Sequence, residues 1–178
     1  MSRPSLLTLV REDVATALAR DPAARSRAEV ALTYPGVHAL VAHRLAHRLW
    51  PRHRLLARLV QAGSRVLTGT DIHPAAELGR RVFIDHAIGL VVGETTRIGD
   101  DVTVFHGVTL GGRGSGPGRR HPVVGDRVLL GAGATVLGAI TVGSDARVGA
   151  GSVVLDDVPA GATVVGSPAR VVRRSDPA

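Results

Sequence analysis

Two short stretches of this chain put a histidine beside a charged residue: Asp85-His86-Ala87 and Arg119-Arg120-His121-Pro122. Histidine is the side chain best suited to passing a proton near neutral pH. Arginine presents a planar fork of donors that matches a carboxylate. The second histidine closes a glycine-rich run that begins Gly111-Gly112-Arg113-Gly114. Gly111 and Gly112 permit close approach of a ligand, and a backbone N–H there can face a developing oxyanion. Cysteine is absent, which excludes both disulfides and a thiol nucleophile.

Both stretches interrupt a regular rhythm. Aliphatic residues recur every six positions in the series Ile72, Leu78, Ile84, then Val92, Ile98, Val104, Leu110, then Val124, Leu130, Val136, Val142, Val148, Val154. Neither a helix (period 3.6) nor a flat strand (period 2) repeats at six. Six fits a coil in which each short strand and its corner send one aliphatic side chain inward, and three strands close a triangular turn of about eighteen residues, a parallel β-helix. The fifth residue of each hexad (Thr96, Val102, Val108, Val128, Ala134, Ala146, Ser152) is small or β-branched, as a narrowing corner requires. Glycine follows the aliphatic residue at 93, 99, 111, 125, 131, 143 and 149, where it is expected to relieve strain in a tight corner. The count from Ile84 to Val92 is eight and from Leu110 to Val124 fourteen, so two and eight residues are in excess. A solenoid expels such excess outward as loops, and loops on a rigid scaffold carry chemistry.

Composition agrees. Only 2% of the 178 residues are aromatic, so the core must be Val, Leu, Ile and Ala, which suits a narrow β-helix better than a sandwich. No apolar run reaches the roughly 18 residues of a membrane span, and no signal-peptide core stands at the N-terminus, so a cytoplasmic enzyme is expected. The net charge is +7 and every one of the 22 basic residues is arginine. Arginine-only usage fits GC-rich coding, and a positive balance suits an anionic ligand. Nucleic acid is the competing partner, but no recognition motif and almost no stacking side chain supports it.

The chain divides into a helical N-terminal region (1–69), the coil (70–170) with its protruding loop (111–122), and a short tail (171–178). Helical spacing runs through Leu6, Leu7, Val10, Val14, Ala17 and Leu18 up to Asp21-Pro22. Pro35-Gly36 reads as a turn, Val37 to Trp50 as a second helix and Arg54 to Leu67 as a third. Such a segment caps the open end of the coil and supplies an oligomer interface. His38, His43 and His47 read as surface or interface histidines. His43 and His47 are four apart and could hold a metal, but no acidic third ligand is placed beside them.

The blocks Asp71-Ile72-His73-Pro74-Ala75-Ala76, Asp85-His86-Ala87, Val91-Val92-Gly93-Glu94-Thr95, Val108-Thr109-Leu110-Gly111-Gly112, Arg120-His121-Pro122 and Gly131-Ala132-Gly133-Ala134 resemble the serine O-acetyltransferase family of hexapeptide-repeat acyltransferases, from about Asp21 to Arg170. The resemblance implies a left-handed β-helix that transfers acetyl from acetyl-CoA to the L-serine hydroxyl, making the precursor of cysteine. It implies His86 as general base with Asp71 as its acidic partner, fifteen residues apart, a spacing that allows neighbouring rungs. It places Asp21, Asp85, Arg120 and His121 around the substrate, with Asp85 facing the ammonium and Arg120 the carboxylate. It places Gly111, Gly112, Ala132, Arg147 and Ala150 along acetyl-CoA, with Arg147 near a phosphate. No metal is implied. Sites shared between neighbouring subunits, in a homotrimer or a dimer of trimers, are. Some relatives end in an isoleucine tail that docks into cysteine synthase. This sequence ends Ser175-Asp176-Pro177-Ala178, so a stable complex of that kind is not expected.

Three other readings compete. One extra methylene barely alters such a pocket, so homoserine, or a sugar hydroxyl, is an alternative acceptor. A zinc hydratase on a similar coil needs two histidines five apart, whereas the coil histidines are 73, 86, 106 and 121. A non-catalytic scaffold would have lost the base, and His86 is present.

Overall fold

The computed structural model describes residues 4–114, 116 and 118–174. Four helices come first: α1 (Leu6–Arg20), α2 (Arg27–Thr33), α3 (Pro35–Leu49) and α4 (Arg54–Thr68). Ser5 caps α1, its Oγ accepting the Thr8 N–H at 3.1 Å, and the helix ends at Asp21 before Pro22. The seven-residue α2 was not expected from periodicity. Ser26 caps it and Glu29 reaches back to the Arg25 N–H at 3.0 Å. The expected turn at Pro35-Gly36 is instead the first turn of α3, because proline at the first helical position lacks only an N–H that has no helical partner.

The coil runs through β1 (Asp71–Ile72), β2 (Glu77–Leu78), β3 (Phe83–Ile84), β4 (Val91–Val92), β5 (Arg97–Ile98), β6 (Thr103–Val104), β7 (Thr109–Gly111), β8 (Val123–Val124), β9 (Leu129–Leu130), β10 (Thr135–Leu137), β11 (Thr141–Val142), β12 (Arg147–Val148) and β13 (Val153–Val154). It closes with β14 (Ala162–Gly166) and β15 (Ala169–Arg174), an antiparallel pair. The strands stack in parallel on three faces. The first holds β1-β4-β7-β10-β13, the second β2-β5-β8-β11, and the third β3-β6-β9-β12-β14-β15. This is the left-handed β-helix with a helical cap that the hexads and the resemblance imply.

The second residue of each coil strand points inward. Apart from half-buried Leu78, all are at most 5% exposed, and the small fifth residues from Thr96 to Ser152 are sealed with them. The glycines after the aliphatic residues are there for a different reason from the one expected. Their φ angles are not left-handed. A Cβ at Gly125, Gly131 or Gly143 would lie 2.4–2.6 Å from the backbone nitrogen of the next rung, so these glycines let the rungs touch. The left-handed corners fall on Arg81, Asp101, Arg127 and Asp145 between the second and third faces, and on Gly89, Gly107, Gly133 and Gly151 between the third and first.

The cap is fastened by specific contacts. Ala39 and Leu40 of α3 enter the coil's own core. His43 donates from Nε2 to the Ala76 carbonyl (3.1 Å) and His47 from Nδ1 to the Pro74 carbonyl (2.9 Å). His43 is therefore buried between α3 and the coil, of the two expected places an interface and not the surface. Among the described residues no group of three or more His, Cys, Asp and Glu is placed to hold a metal. The Arg44 guanidinium binds Asp13 through two bonds of 2.6 and 2.8 Å, both side chains buried, and also the Gly79 carbonyl at 3.2 Å. In contrast, α4 buries only Ala57 and Thr68 and leaves Leu55, Leu56, Leu59, Val66 and Leu67 exposed. No helix among the described residues is long and apolar enough to cross a membrane.

Candidate active site

The first break is a tight double turn. The Ala87 N–H donates to the Asp85 carbonyl (2.7 Å) and the Ile88 N–H to the His86 carbonyl (2.8 Å), two successive three-residue turns. His86 and Ala87 both take left-handed φ, 59° and 66°. Non-glycine residues rarely do so, and such strain collects at functional positions. Ala87 and Leu90 anchor the loop in the core, which leaves the His86 ring 71% exposed, its Nε2 3.8 Å from Asp85 Oδ2. The His106 ring, one rung on, meets it edge to face at 5.7 Å.

The helical cap brings a second carboxylate to this corner. Asp21 Oδ1 accepts the Ala23 N–H (2.8 Å) and Oδ2 accepts the Tyr34 hydroxyl (2.7 Å). These two bonds, and then the nearby His86, hold the Asp21 carboxyl below the usual carboxylate range. Tyr34 in turn feels Asp85 across the same space. Asp21, distant in sequence, thus stands near the adjacent Asp85 and His86 at the corner between the third and first faces.

Arg120 and His121 stand at the opposite edge of the first face, between it and the second. Thr95 holds both. Its Oγ accepts the N–H groups of Arg120 (3.1 Å) and His121 (3.2 Å) and donates to His121 Nδ1 at 2.8 Å, and the Thr95 N–H also donates to Nδ1 at 3.2 Å. With Nδ1 an acceptor twice over, the network assigns the proton to Nε2. Burial, and then the Arg120 charge, lower the His121 pKa, which keeps the ring neutral. Arg120 lies 3.1 Å from Glu94, both half-exposed. Gly111 and Gly112 share this corner, and a Cβ on Gly112 would sit 3.0 Å from His121 Nε2. Arg119 ties the loop to the next rung through the carbonyls of Ala139 (2.8 Å) and Ile140 (3.4 Å).

Comparison with known proteins agrees with this picture. The profile of the bacterial transferase hexapeptide (six repeats) matches residues 121–156. The chain is 58% identical over 173 residues to the serine acetyltransferase of Mycobacterium tuberculosis, covering 97% of this chain and 76% of that one. The chain belongs to the serine acetyltransferase family. Solved structures of this family superpose closely. The soybean serine acetyltransferase complexed with serine matches at a TM-score of 0.92 and 50% identity, over 96% of this chain and 70% of that one. The serine acetyltransferase from Brucella abortus in complex with coenzyme A matches at 0.92 and 46%, over 96% and 68%.

Within this serine acetyltransferase fold, not all the expected residues meet. Asp71 opens β1, and its backbone joins the end of the His86 loop through its N–H to the Leu90 carbonyl (2.8 Å). Its carboxylate, however, bonds to Gln61 and, at 3.4 Å, to Arg65 of α4, and no hydrogen bond to His86 forms within the single chain. Ala132 and Ala150 lie above His86 and His106 at the same corner. Gly107, Gly133 and Gly151 stack beside them through Gly133 N–H to His106 O (2.9 Å) and Gly151 N–H to Ala132 O (2.8 Å). Nothing lies within 4 Å of a Cβ built on Gly133 or Gly151, so the corner offers a smooth backbone edge. Arg147 opens onto a groove of about 1100 Å³ on the third face, which also receives Arg20, Arg127 and Arg173. Arg20 and Arg127 are paired with Asp101 and Asp145, whereas Arg147 has no ion pair among the described residues. Tyr34, Thr95 and His106 were not singled out from sequence. Only the Glu94-Thr95 block in the shared motif pointed to one of them. Residues 175–178, on which the expectation about a docking tail rests, lie outside the described residues.

Proposed function

We propose that this chain is a serine O-acetyltransferase that moves acetyl from acetyl-CoA to the hydroxyl of L-serine, releasing O-acetyl-L-serine and CoA, with His86 as the general base. The observation that carries the reading is the corner at His86: an exposed imidazole on a strained, core-anchored turn, beside the Asp85 carboxylate at 3.8 Å and near enough to Asp21 to lower its pKa. A hydroxyl is a weak nucleophile and needs a base as it attacks. His86 takes the hydroxyl proton while the oxygen bonds to the thioester carbonyl carbon. The tetrahedral intermediate then expels the CoA thiolate, and the proton on His86 passes to that sulfur. Asp71, the partner that the family resemblance implies, would stabilise the imidazolium. Asp21 and Asp85 receive the substrate ammonium, and Arg120 and the His121 Nε2–H its carboxylate.

Acetyl-CoA suits the smooth edge at Ala132 and Ala150, where an extended arm can pair its amides with backbone, and Arg147 with its phosphates. Gly111 and Gly112 offer N–H groups to the oxyanion. His86 and Arg120–His121 stand on two edges of one face. Six residues at about 3.3 Å each make that side roughly 15–20 Å, too wide for one amino acid to bridge. The two halves of the site therefore come together between neighbouring copies, in a homotrimer or a dimer of trimers. The exposed apolar face of α4 supports self-association. A cytoplasmic location fits an enzyme of amino-acid synthesis.

The test is thiol release from acetyl-CoA with L-serine, L-homoserine or no acceptor, for the native chain and His86→Ala. Serine-dependent release that vanishes in the variant is expected. Turnover of homoserine alone would keep the mechanism and replace the substrate. No release with any acceptor would refute the enzyme reading.

A further inference from the structure

We propose that Tyr34 is a positioning residue for acceptor choice: its hydroxyl orients the Asp21 carboxylate toward the substrate ammonium beside His86. The inference rests on the acceptor site described above. Asp21 belongs to no regular element. It follows the last turn of α1 and precedes Pro22, so its backbone alone does not aim its side chain. Each carboxylate oxygen has one bond: Oδ1 takes the Ala23 N–H, a local turn contact, and Oδ2 takes the Tyr34 hydroxyl from thirteen residues away. Only the second bond ties the carboxylate to the rest of the molecule.

Tyr34 is well placed to be an anchor. It ends α2 and opens α3, its N–H bonded to the Val30 carbonyl (3.2 Å) and its carbonyl to the His38 N–H (3.2 Å). Its ring packs on the cluster of Val14, Ala17, Val30, Val37 and Phe83. Phe83 lies two residues before Asp85 on β3, so one apolar cluster holds both the phenol and the strand that delivers the second carboxylate. The hydrogen bond to Asp21, with burial, pushes the Tyr34 phenol up to about 12, so the hydroxyl keeps its proton and remains a donor.

Two carboxylates near one base, Asp85 at 3.8 Å and Asp21 close enough to feel its charge, make a place for a cation. An α-ammonium divides its charge between Asp21 and Asp85, while an acceptor without one leaves the two carboxylates unpaired. Without the Tyr34 hydroxyl, Asp21 keeps its local turn and loses its aim. The structural assignment thus makes the phenol a determinant of preference for amino-acid acceptors over other hydroxyl compounds.

The experiment compares Tyr34→Phe, Asp21→Asn and the double variant by thiol release. Inhibition by 3-hydroxypropionate, which keeps the carboxylate and hydroxyl and lacks the ammonium, is measured alongside. Tyr34→Phe is expected to raise KM for L-serine roughly ten- to hundredfold, the worth of a hydrogen bond to a charged group. It should leave kcat and the KM for acetyl-CoA within about twofold and leave inhibition by 3-hydroxypropionate unchanged. In the Asp21→Asn background the same substitution should add almost nothing. An unchanged KM for serine, an equal weakening of 3-hydroxypropionate, or full additivity with Asp21→Asn would each overturn the proposal while native turnover of serine stands. A native chain that does not turn over serine would overturn the acceptor reading itself.

Discussion

Gly93→Ala tests how the second half of the site is built. A Cβ at position 93 would lie 2.0 Å from both Cδ2 and Nε2 of His121. Carbon contacts settle near 3.5 Å or more, so the ring must retreat by about 1.5 Å. His121 is buried, and Thr95 holds its Nδ1 at 2.8 and 3.2 Å, with no slack on that side. Retreat breaks both bonds, each worth about 1 kcal/mol, and overpacking of this kind costs about 1–3 kcal/mol of stability in all. A misplacement of about 1 Å in a positioning group lowers rates by on the order of a hundredfold. We therefore expect kcat/KM for L-serine to fall roughly a hundredfold, and His121→Ala to cost little more in the Gly93→Ala background than the glycine substitution already has. Thiol-release kinetics and urea unfolding of the four proteins measure this. A Gly93→Ala enzyme with native kcat/KM, or one whose loss adds fully to that of His121→Ala, would refute the argument that the glycine exists to admit this ring.

Gly36→Ala should lower the urea midpoint by an amount equivalent to about 1–3 kcal/mol, because its Cβ would sit 2.0 Å from the Ile84 carbonyl oxygen, a backbone atom that cannot swing aside. Gly63→Ala on α4, with nothing within 4 Å, is the control and should be neutral or stabilising by about 0.5–1 kcal/mol. Equal stability of the two variants would contradict the account of how α3 seats on the coil. Acid should weaken the fold through His43. Its burial pushes its pKa from 6.5 down to about 3, and its Nδ1 has no partner to receive a proton. The unfolded chain therefore binds a proton below pH 6.5 that the folded chain refuses. Stability is unaffected above that pH and declines as pH falls toward about 3, with a slope of at most about 1.4 kcal/mol per pH unit. His43→Gln should flatten the acid limb of a urea-midpoint profile, and an unchanged limb would place the proton uptake elsewhere.

The hexads made the coil readable because each rung repeats one local solution: an inward aliphatic residue, a small corner residue and a fixed step of six. Every coil strand with its inward residue stands where that period places it, from Ile72 to Val154, and all but Leu78 are buried. The long helices were equally legible from their spacing. The seven-residue α2 was not, since it is too short to show a period, and Pro35-Gly36 was misread because a turn and a helix start share those residues. The glycines beside the aliphatic residues were visible, but their purpose was not. A sequence shows that a side chain is missing and only the packed rungs show what fills its place.

The sequence by itself determined the coil and the places where loops leave it, because period and its interruption are properties of the chain taken in order. Tertiary structure alone decided who meets whom. It set Tyr34 on Asp21, Thr95 on His121, and Gln61 and Arg65 on Asp71. It also separated His86 from Arg120 and His121 across one face of the prism. Those partners lie on different rungs or in the cap. Their distances follow from how inserted loops and helices pack around the coil, and no local pattern of residues encodes that packing.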